Sequence, residues 1–141
     1  MALQYLLDTN IISDLMRSPA GEIGRRIAEV GEDSICTSII VAAELRYGAA
    51  KSASKALIER VELVLSAIDT LPLEPPADRH YAVIRHALSL QGVLIGPNDL
   101  LLAAQALALE LTVVTANERE FGRVPGLKVE NWLTSPPVTD Q

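Results

Sequence analysis

The chain has 141 residues, 49% of them apolar and only 4% aromatic, with a formal net charge of −6. That length suits one domain with a substantial aliphatic core, and no apolar run is long enough for a membrane span. The acidic balance opposes nonspecific nucleic-acid binding, yet it does not exclude a nuclease, because a metal site needs acidic residues.

Met1-Ala2-Leu3-Gln4 lacks the basic region of a signal peptide, which predicts a cytoplasmic protein. Tyr5–Leu7 is a short apolar strand, and Asp8-Thr9-Asn10 ends it with three residues that favour turns and helix caps. Residues 11–16 read as helix, broken by Ser18-Pro19, and residues 21–30 as a second, amphipathic helix. Glu32-Asp33 is a turn before a second strand at 35–37. Its Cys36 is the single cysteine, so no internal disulfide forms, and its apolar neighbours predict a buried thiol rather than a nucleophile. Ser38 caps a helix through residue 50, with Val41, Leu45 and Gly48 at helical spacing. Residues 52–68 form another, on which Leu57, Val61, Val64, Leu65 and Ile68 make a wide apolar face. A third strand at 70–73 is closed by Glu74-Pro75-Pro76, and residues 77–91 are helical up to Gly92. A β-branched fourth strand follows at 111–115, with a candidate fifth at 127–129. Pro136-Pro137 marks 134–141 as an extended, mobile tail, which leaves 1–133 as the domain.

The stretch from Gly96-Pro97-Asn98-Asp99 to Leu109 is the organising element. After Asp99 it is Leu and Ala, interrupted only by Gln105. These are the strongest helix formers, and a helix apolar all round is expected to be buried all round. An unpaired buried carboxylate is costly, so Asp99 belongs at a mouth or opposite positive charge, part of which the helix N-terminus supplies.

Strands alternating with helices imply a parallel sheet covered on both faces. In such a sheet every strand ends on one edge, where open α/β folds bind ligands. Asp8, Glu44, Asp99 and Asn117 fall at that edge, while Asp33, Asp69 and Glu110 precede strands and fall at the other. Three crowded carboxylates need a counter-charge, and an all-oxygen set without His or Cys suits Mg²⁺ or Mn²⁺ rather than Zn²⁺. Each acid taken alone reads as a cap or a solvated charge. That reading fails for Asp99, on its apolar helix, and for Glu44, between Val41-Ala42-Ala43 and Leu45.

Four segments together resemble the PIN-domain ribonucleases. They are Leu7-Asp8-Thr9-Asn10, then Ala43-Glu44-Leu45-Arg46-Tyr47-Gly48, then Gly96-Pro97-Asn98-Asp99 with its Ala/Leu helix, then Val114-Thr115-Ala116-Asn117-Glu118-Arg119-Glu120-Phe121. Within that family the chain is similar to the VapC toxins of type II toxin–antitoxin systems, as is its ending from Val124-Pro125-Gly126 to Asn131-Trp132. Each motif alone is weak, but four in this order and spacing are specific, and they span nearly the whole chain. The resemblance implies a three-layer α/β/α fold with a central parallel sheet, a homodimer, and Mg²⁺-dependent endonucleolytic RNA cleavage in which Mn²⁺ substitutes. It makes Asp8 and Asp99 the principal metal ligands, with Glu44 completing the site directly or through water. A metal-activated water then attacks the phosphodiester and leaves a 5′-phosphate. The implied partners are a VapB antitoxin that blocks the cleft, operator DNA reached only through that antitoxin, and tRNA as substrate, down to the anticodon loop of initiator tRNA. Many PIN domains carry Asp where this chain has Asn117. One negative charge fewer predicts a single tightly held ion, with Glu120 compensating through water and Thr115 orienting the cluster rather than ligating.

Arg46 either approaches the cleft and a substrate phosphate or forms an ordinary surface ion pair. Arg119 and Arg123 flank the cleft edge, and Lys51 and Lys55 share a helix face; phosphate contacts from these would offset the net charge. His80 and His86 are six residues apart, on different helix faces, and are expected at the surface. The width of the 57–68 face leaves room for a partner helix, with Ile58 and Leu63 as its test positions. Trp132 is expected to pack the last strand. Competing classes fare worse. A haloacid-dehalogenase-type Mg²⁺ phosphatase needs a second Asp where Asn10 stands, a receiver needs adjacent N-terminal acids and a late lysine, and a dinucleotide fold needs its Gly-rich turn. The non-enzyme alternative is a PIN-fold interaction module that has lost cleavage, against which Asp8, Glu44 and Asp99 stand together.

Overall fold

The computed structural model describes residues 2–133. Its strands are β1 (Tyr5–Leu7), β2 (Ile35–Ser38), β3 (Asp69–Leu71), β4 (Thr112–Val114) and β5 (Val129–Glu130). They form one sheet in the order β3-β2-β1-β4-β5, parallel at every pairing. The helices are α1 (Thr9–Arg17), α2 (Glu22–Val30), α3 (Ile39–Ser52), α4 (Lys55–Ala67), α5 (Ala77–Leu90), α6 (Pro97–Leu109) and α7 (Glu118–Phe121). Parallel strands force crossovers, and crossovers are right-handed. The chain builds outward from β1 to β3 and then returns to the other side of β1. That reversal lays α1–α4 over one face and α5–α7 over the other. Packing of α1 on α2, α3 and α4, and of α5 on α6, follows this division. The result is the expected three-layer α/β/α domain. The five strands stand where the alternation put them, to within two residues. The tail expected at 134–141 lies outside the described residues.

The middle of the sheet is the core: Leu6, Leu7, Val113 and Val114 are fully buried. Cys36 is buried as expected; its thiol donates to the Tyr5 carbonyl, and burial pushes its pKa up to about 12, so it is inert. Trp132 is buried against the start of the sheet. It meets the Tyr5 ring edge to face, with centroids 5.1 Å apart, and its indole N–H donates to Glu130 at the end of β5. Among the described residues no helix is long and apolar enough to cross a membrane.

Two expectations are corrected. Lys51 and Lys55 do not share a helix face, because the chain breaks between α3 and α4. Ala53 closes α3 in the left-handed region at φ 55°, and the Ser54 hydroxyl accepts from the Leu57 amide to start α4. Nor is α6 buried all round. Leu100, Leu102, Ala103, Ala104 and Ala106 are buried, but Leu109 in the last turn is 46% exposed. The polar interruption has a structural reason. Gln105 is buried, and its Nε2 donates to the carbonyls of Leu71 at 3.4 Å and Pro72 at 3.0 Å, tying α6 to the chain leaving β3. Gln105→Ala should therefore destabilise the protein by about 2–4 kcal/mol through the cavity and the lost bonds. The expected readout is a lower urea midpoint at unchanged slope, and an unmoved midpoint would show that the clasp contributes nothing.

Candidate active site

The reversal of strand order lies between β1 and β4, and open α/β sheets form their ligand crevice beyond the strand ends at such a point. Here it is a cleft of about 360 Å³ lined by Asp8, Thr9, Asn10, Ser13, Arg17, Glu44, Asp99 and Asn117. A larger depression of about 430 Å³ lies between α5 and α6, but Leu73, Pro75, Ala77, Tyr81, Leu101 and Ala104 make it mainly apolar. Convergent carboxylates rather than volume identify the candidate site.

Asp8 leaves β1 and is the N-cap of α1, with Oδ1 accepting from the Thr9 amide at 2.7 Å. Its own amide donates to the Val114 carbonyl at 2.9 Å, which locks it to the end of β4. Thr115, fully buried one residue past β4, donates its hydroxyl to Asp8 Oδ2 at 2.8 Å and accepts from the Asn117 amide at 2.9 Å. Each Asp8 oxygen is thus aimed by one fixed donor and keeps lone-pair capacity for the cleft.

Glu44 lies on the second turn of α3. Its Oε1 accepts from the Thr9 hydroxyl at 2.6 Å and its Oε2 from Asn98 Nδ2 at 3.3 Å. Asp99 is in the first turn of α6, which starts at Pro97 behind Gly96 as N-cap. Glu120, on α7, accepts from the Gly96 amide and from Asn117 Nδ2 at 2.9 Å. The helix N-terminus at Gly96 is therefore capped by Glu120 from a distant segment. These bonds, with the nearby Arg123, hold the Glu120 carboxyl below its ordinary range.

Asp8 and Asp99 behave in the opposite sense. Burial raises the Asp8 pKa against the pull of Thr115 and Thr9, and Glu44 and Glu120 add to the rise. Asp99 is pushed up to about 7, first by burial, then by the charges of Asp8 and Glu120 and a hydrogen bond to Glu120, with Glu44 adding a little. The cleft holds more negative charge than its own protein groups compensate.

The donor set therefore fits a hard divalent cation. Among the described residues no three His, Cys, Asp or Glu side chains stand close enough to grip one ion together. A site of one or two carboxylates completed by water is the habit of Mg²⁺.

The cleft includes Asp8, Glu44, Asp99 and Asn117 from the sequence expectations, with Thr115 behind Asp8. Arg46 adopts its surface-pair alternative: Nε and Nη2 each lie 2.9 Å from the Glu62 carboxylate on α4, and it does not line the cleft. Arg119 is exposed on α7, outside the lining residues. Arg123 reaches the Leu94 carbonyl at 3.4 Å. On α5, His86 is exposed and His80 half-buried. Sequence reasoning missed Thr9 and Asn98 as the clasps of Glu44, and Ser13 and Arg17 as cleft lining. Asn10, Ser13 and Arg17 at i, i+3 and i+7 of a helix capped by Asp8 were the available signal.

The family pattern described as PIN domain matches residues 5–127. Ribonuclease VapC2 of Haemophilus influenzae is 40% identical over 132 residues, covering 93% of this chain and 99% of that protein. The tRNA(fMet)-specific endonuclease VapC of Shigella flexneri is 35% identical over 131 residues, covering 92% and 98%. Among solved structures, VapBC2 from Rickettsia felis bound to a DNA fragment from its promoter superposes with a TM-score of 0.86 at 34% identity, over 94% of this chain and 99% of that one. The chain belongs to the PIN-domain family and, within it, to the VapC proteins.

Proposed function

We propose that the protein is the toxin of a type II toxin–antitoxin pair, a cytoplasmic, metal-dependent endoribonuclease whose substrate is tRNA. The observation that carries the reading is the Asp8–Asp99 pair in the switch-point cleft, with both carboxyls raised first by burial and then by neighbouring carboxylates. Asp8 and Asp99 would hold one Mg²⁺ or Mn²⁺, and Glu44 would reach it through water. A bound divalent cation lowers the pKa of a coordinated water and neutralises charge that builds on phosphoryl oxygens. Thr115 keeps Asp8 aimed, and Thr9 and Asn98 keep Glu44 facing the cleft. Asn117 contributes an amide where an acid would add charge, which supports a single tight ion; two equally tight Mn²⁺ sites in a titration would refute that count. Initiator tRNA is the first substrate to try, because a relative's name specifies it.

Purified, antitoxin-free protein should cut tRNA with Mg²⁺ and lose all cleavage in EDTA. No cleavage of any RNA by folded, metal-loaded protein would favour the interaction-module reading instead.

The partner would be a VapB-type antitoxin, through which alone operator DNA is bound, and the toxin itself would be a homodimer. Most of the apolar face of α4 is core: Val61, Leu65 and the following Ile68 are buried. Leu63 is 71% exposed and lines a groove of about 340 Å³ with Leu15, Met16, Pro19 and Val64. Ile58, also exposed, lies outside it. Leu63→Glu should weaken antitoxin binding at least about tenfold by placing a charge in an apolar contact. Unchanged affinity in a calorimetric titration would remove this face from the interface.

A further inference from the structure

We propose that Arg17 binds substrate, holding an RNA phosphate next to the scissile one and leading the strand along α1 into the carboxylates. The inference rests on the nuclease reading above. An acidic protein with an acidic cleft repels a polyanion, so productive binding needs positive charge beside the cleft. Among the described residues lining the cleft, Arg17 is the one cation. It ends the helix that Asp8 caps, nine residues or about 13.5 Å along the axis, too far for the scissile phosphate itself. Its side chain leans back toward the N-terminus, as helical side chains do, over the stripe made by Ser13 and Asn10.

Arg17 is also available. Its ion pair is with Asp14 at 3.8 Å, one turn back on the same helix, and its side chain is 67% exposed. A pair that long and that exposed holds little. Neighbouring arginines are committed elsewhere. Arg46 is bidentate on Glu62, Arg25 is paired to Glu22 and Glu29, and Arg26 reaches Glu29 and Glu130 while covering the Trp132 ring. No ion pair joins Arg17 to Asp8, Glu44 or Asp99 among the described residues, so its charge is not spent on the metal-site carboxylates.

The test is steady-state cleavage of bulk tRNA by antitoxin-free protein with Mg²⁺, at several salt concentrations. Arg17→Ala should raise KM about tenfold with kcat little changed. The slope of log(kcat/KM) against log[salt] should become shallower by about 0.7, the loss of one phosphate contact on single-stranded RNA. Arg17→Lys should recover the wild-type slope, because it keeps the charge, whereas Arg17→Gln should not. Thermal stability should be unmoved in all three. Equal KM and slope in Arg17→Ala and wild type would overturn the proposal, as would a loss confined to kcat with weakened Mn²⁺ binding. A wild-type protein that cuts no RNA would overturn the nuclease reading and this inference with it.

Discussion

Asp8→Asn and Asp99→Asn should each lower kcat/KM for RNA cleavage by more than about a hundredfold, while far-UV circular dichroism stays unchanged. Groups that merely orient a ligand are worth about 10–100-fold, so removing a ligand's charge should cost more. Thr115→Val supplies the internal comparison. It deletes the 2.8 Å bond that aims Asp8 without touching the carboxylate, and should fall within that smaller range. Asn preserves the shape of Asp, so a folded but inactive protein isolates the charge. Each variant should also bind Mn²⁺ more weakly in a direct titration. Cleavage that survived both substitutions would mean a contaminating nuclease or a reacting centre elsewhere in the molecule.

The second large effect is a dependence on pH. Without a cation, Asp99 titrates at about 7, against 3.8 for the ordinary group, because it is buried beside Asp8 and shares a hydrogen bond with Glu120. To ligate a cation it must give up that proton. Apparent affinity for Mg²⁺ or Mn²⁺ should therefore fall about tenfold between pH 8 and pH 6, with nearly one proton released per ion at pH 6. Calorimetry in two buffers of different ionisation enthalpy measures both quantities. Stability of the cation-free protein should move the other way. The folded state binds this proton more tightly than the unfolded state. Its stabilising contribution is complete below the unfolded value near 3.8 and is lost as pH rises through about 7. Asp8, also raised, contributes in the same direction. Asp99→Asn should consequently stabilise the cation-free protein at pH 8 by about 1–2 kcal/mol after solvent screening, roughly 5 °C in Tm. It should do so while abolishing cleavage. A pH-independent affinity, or a melting temperature lowered by Asp99→Asn at pH 8, would show that the two carboxyls do not share their charge as described.

The strands and the longer helices were legible for a simple reason. Apolar runs such as Tyr5-Leu6-Leu7 and Leu111-Thr112-Val113-Val114 are punctuated by capping residues, and that information is local. The single turn of α7 was not, because four residues carry no helical period. The α3–α4 break was expected between residues 50 and 52, but its exact place was not legible, since an alanine in the left-handed region, as at Ala53, gives no sequence signal of the kind glycine gives.

By itself, the sequence determined that this is an α/β domain with a parallel sheet and an aliphatic core. It also put Asp8, Glu44, Asp99 and Asn117 at one sheet edge, because strand direction and element order follow from local patterning. Tertiary structure alone decided the strand order and its reversal at β1, which opens the crevice. It alone decided that Thr9 reaches across 35 positions to Glu44, that Thr115 reaches across 107 to Asp8, and that Glu120 caps the helix carrying Asp99. The same holds for Arg46, which pairs with Glu62, and for Arg17, which lines the cleft. Hydrogen bonds and charge act over a few ångströms, so these pairings exist only once packing has brought distant segments to that separation, and no local pattern encodes them.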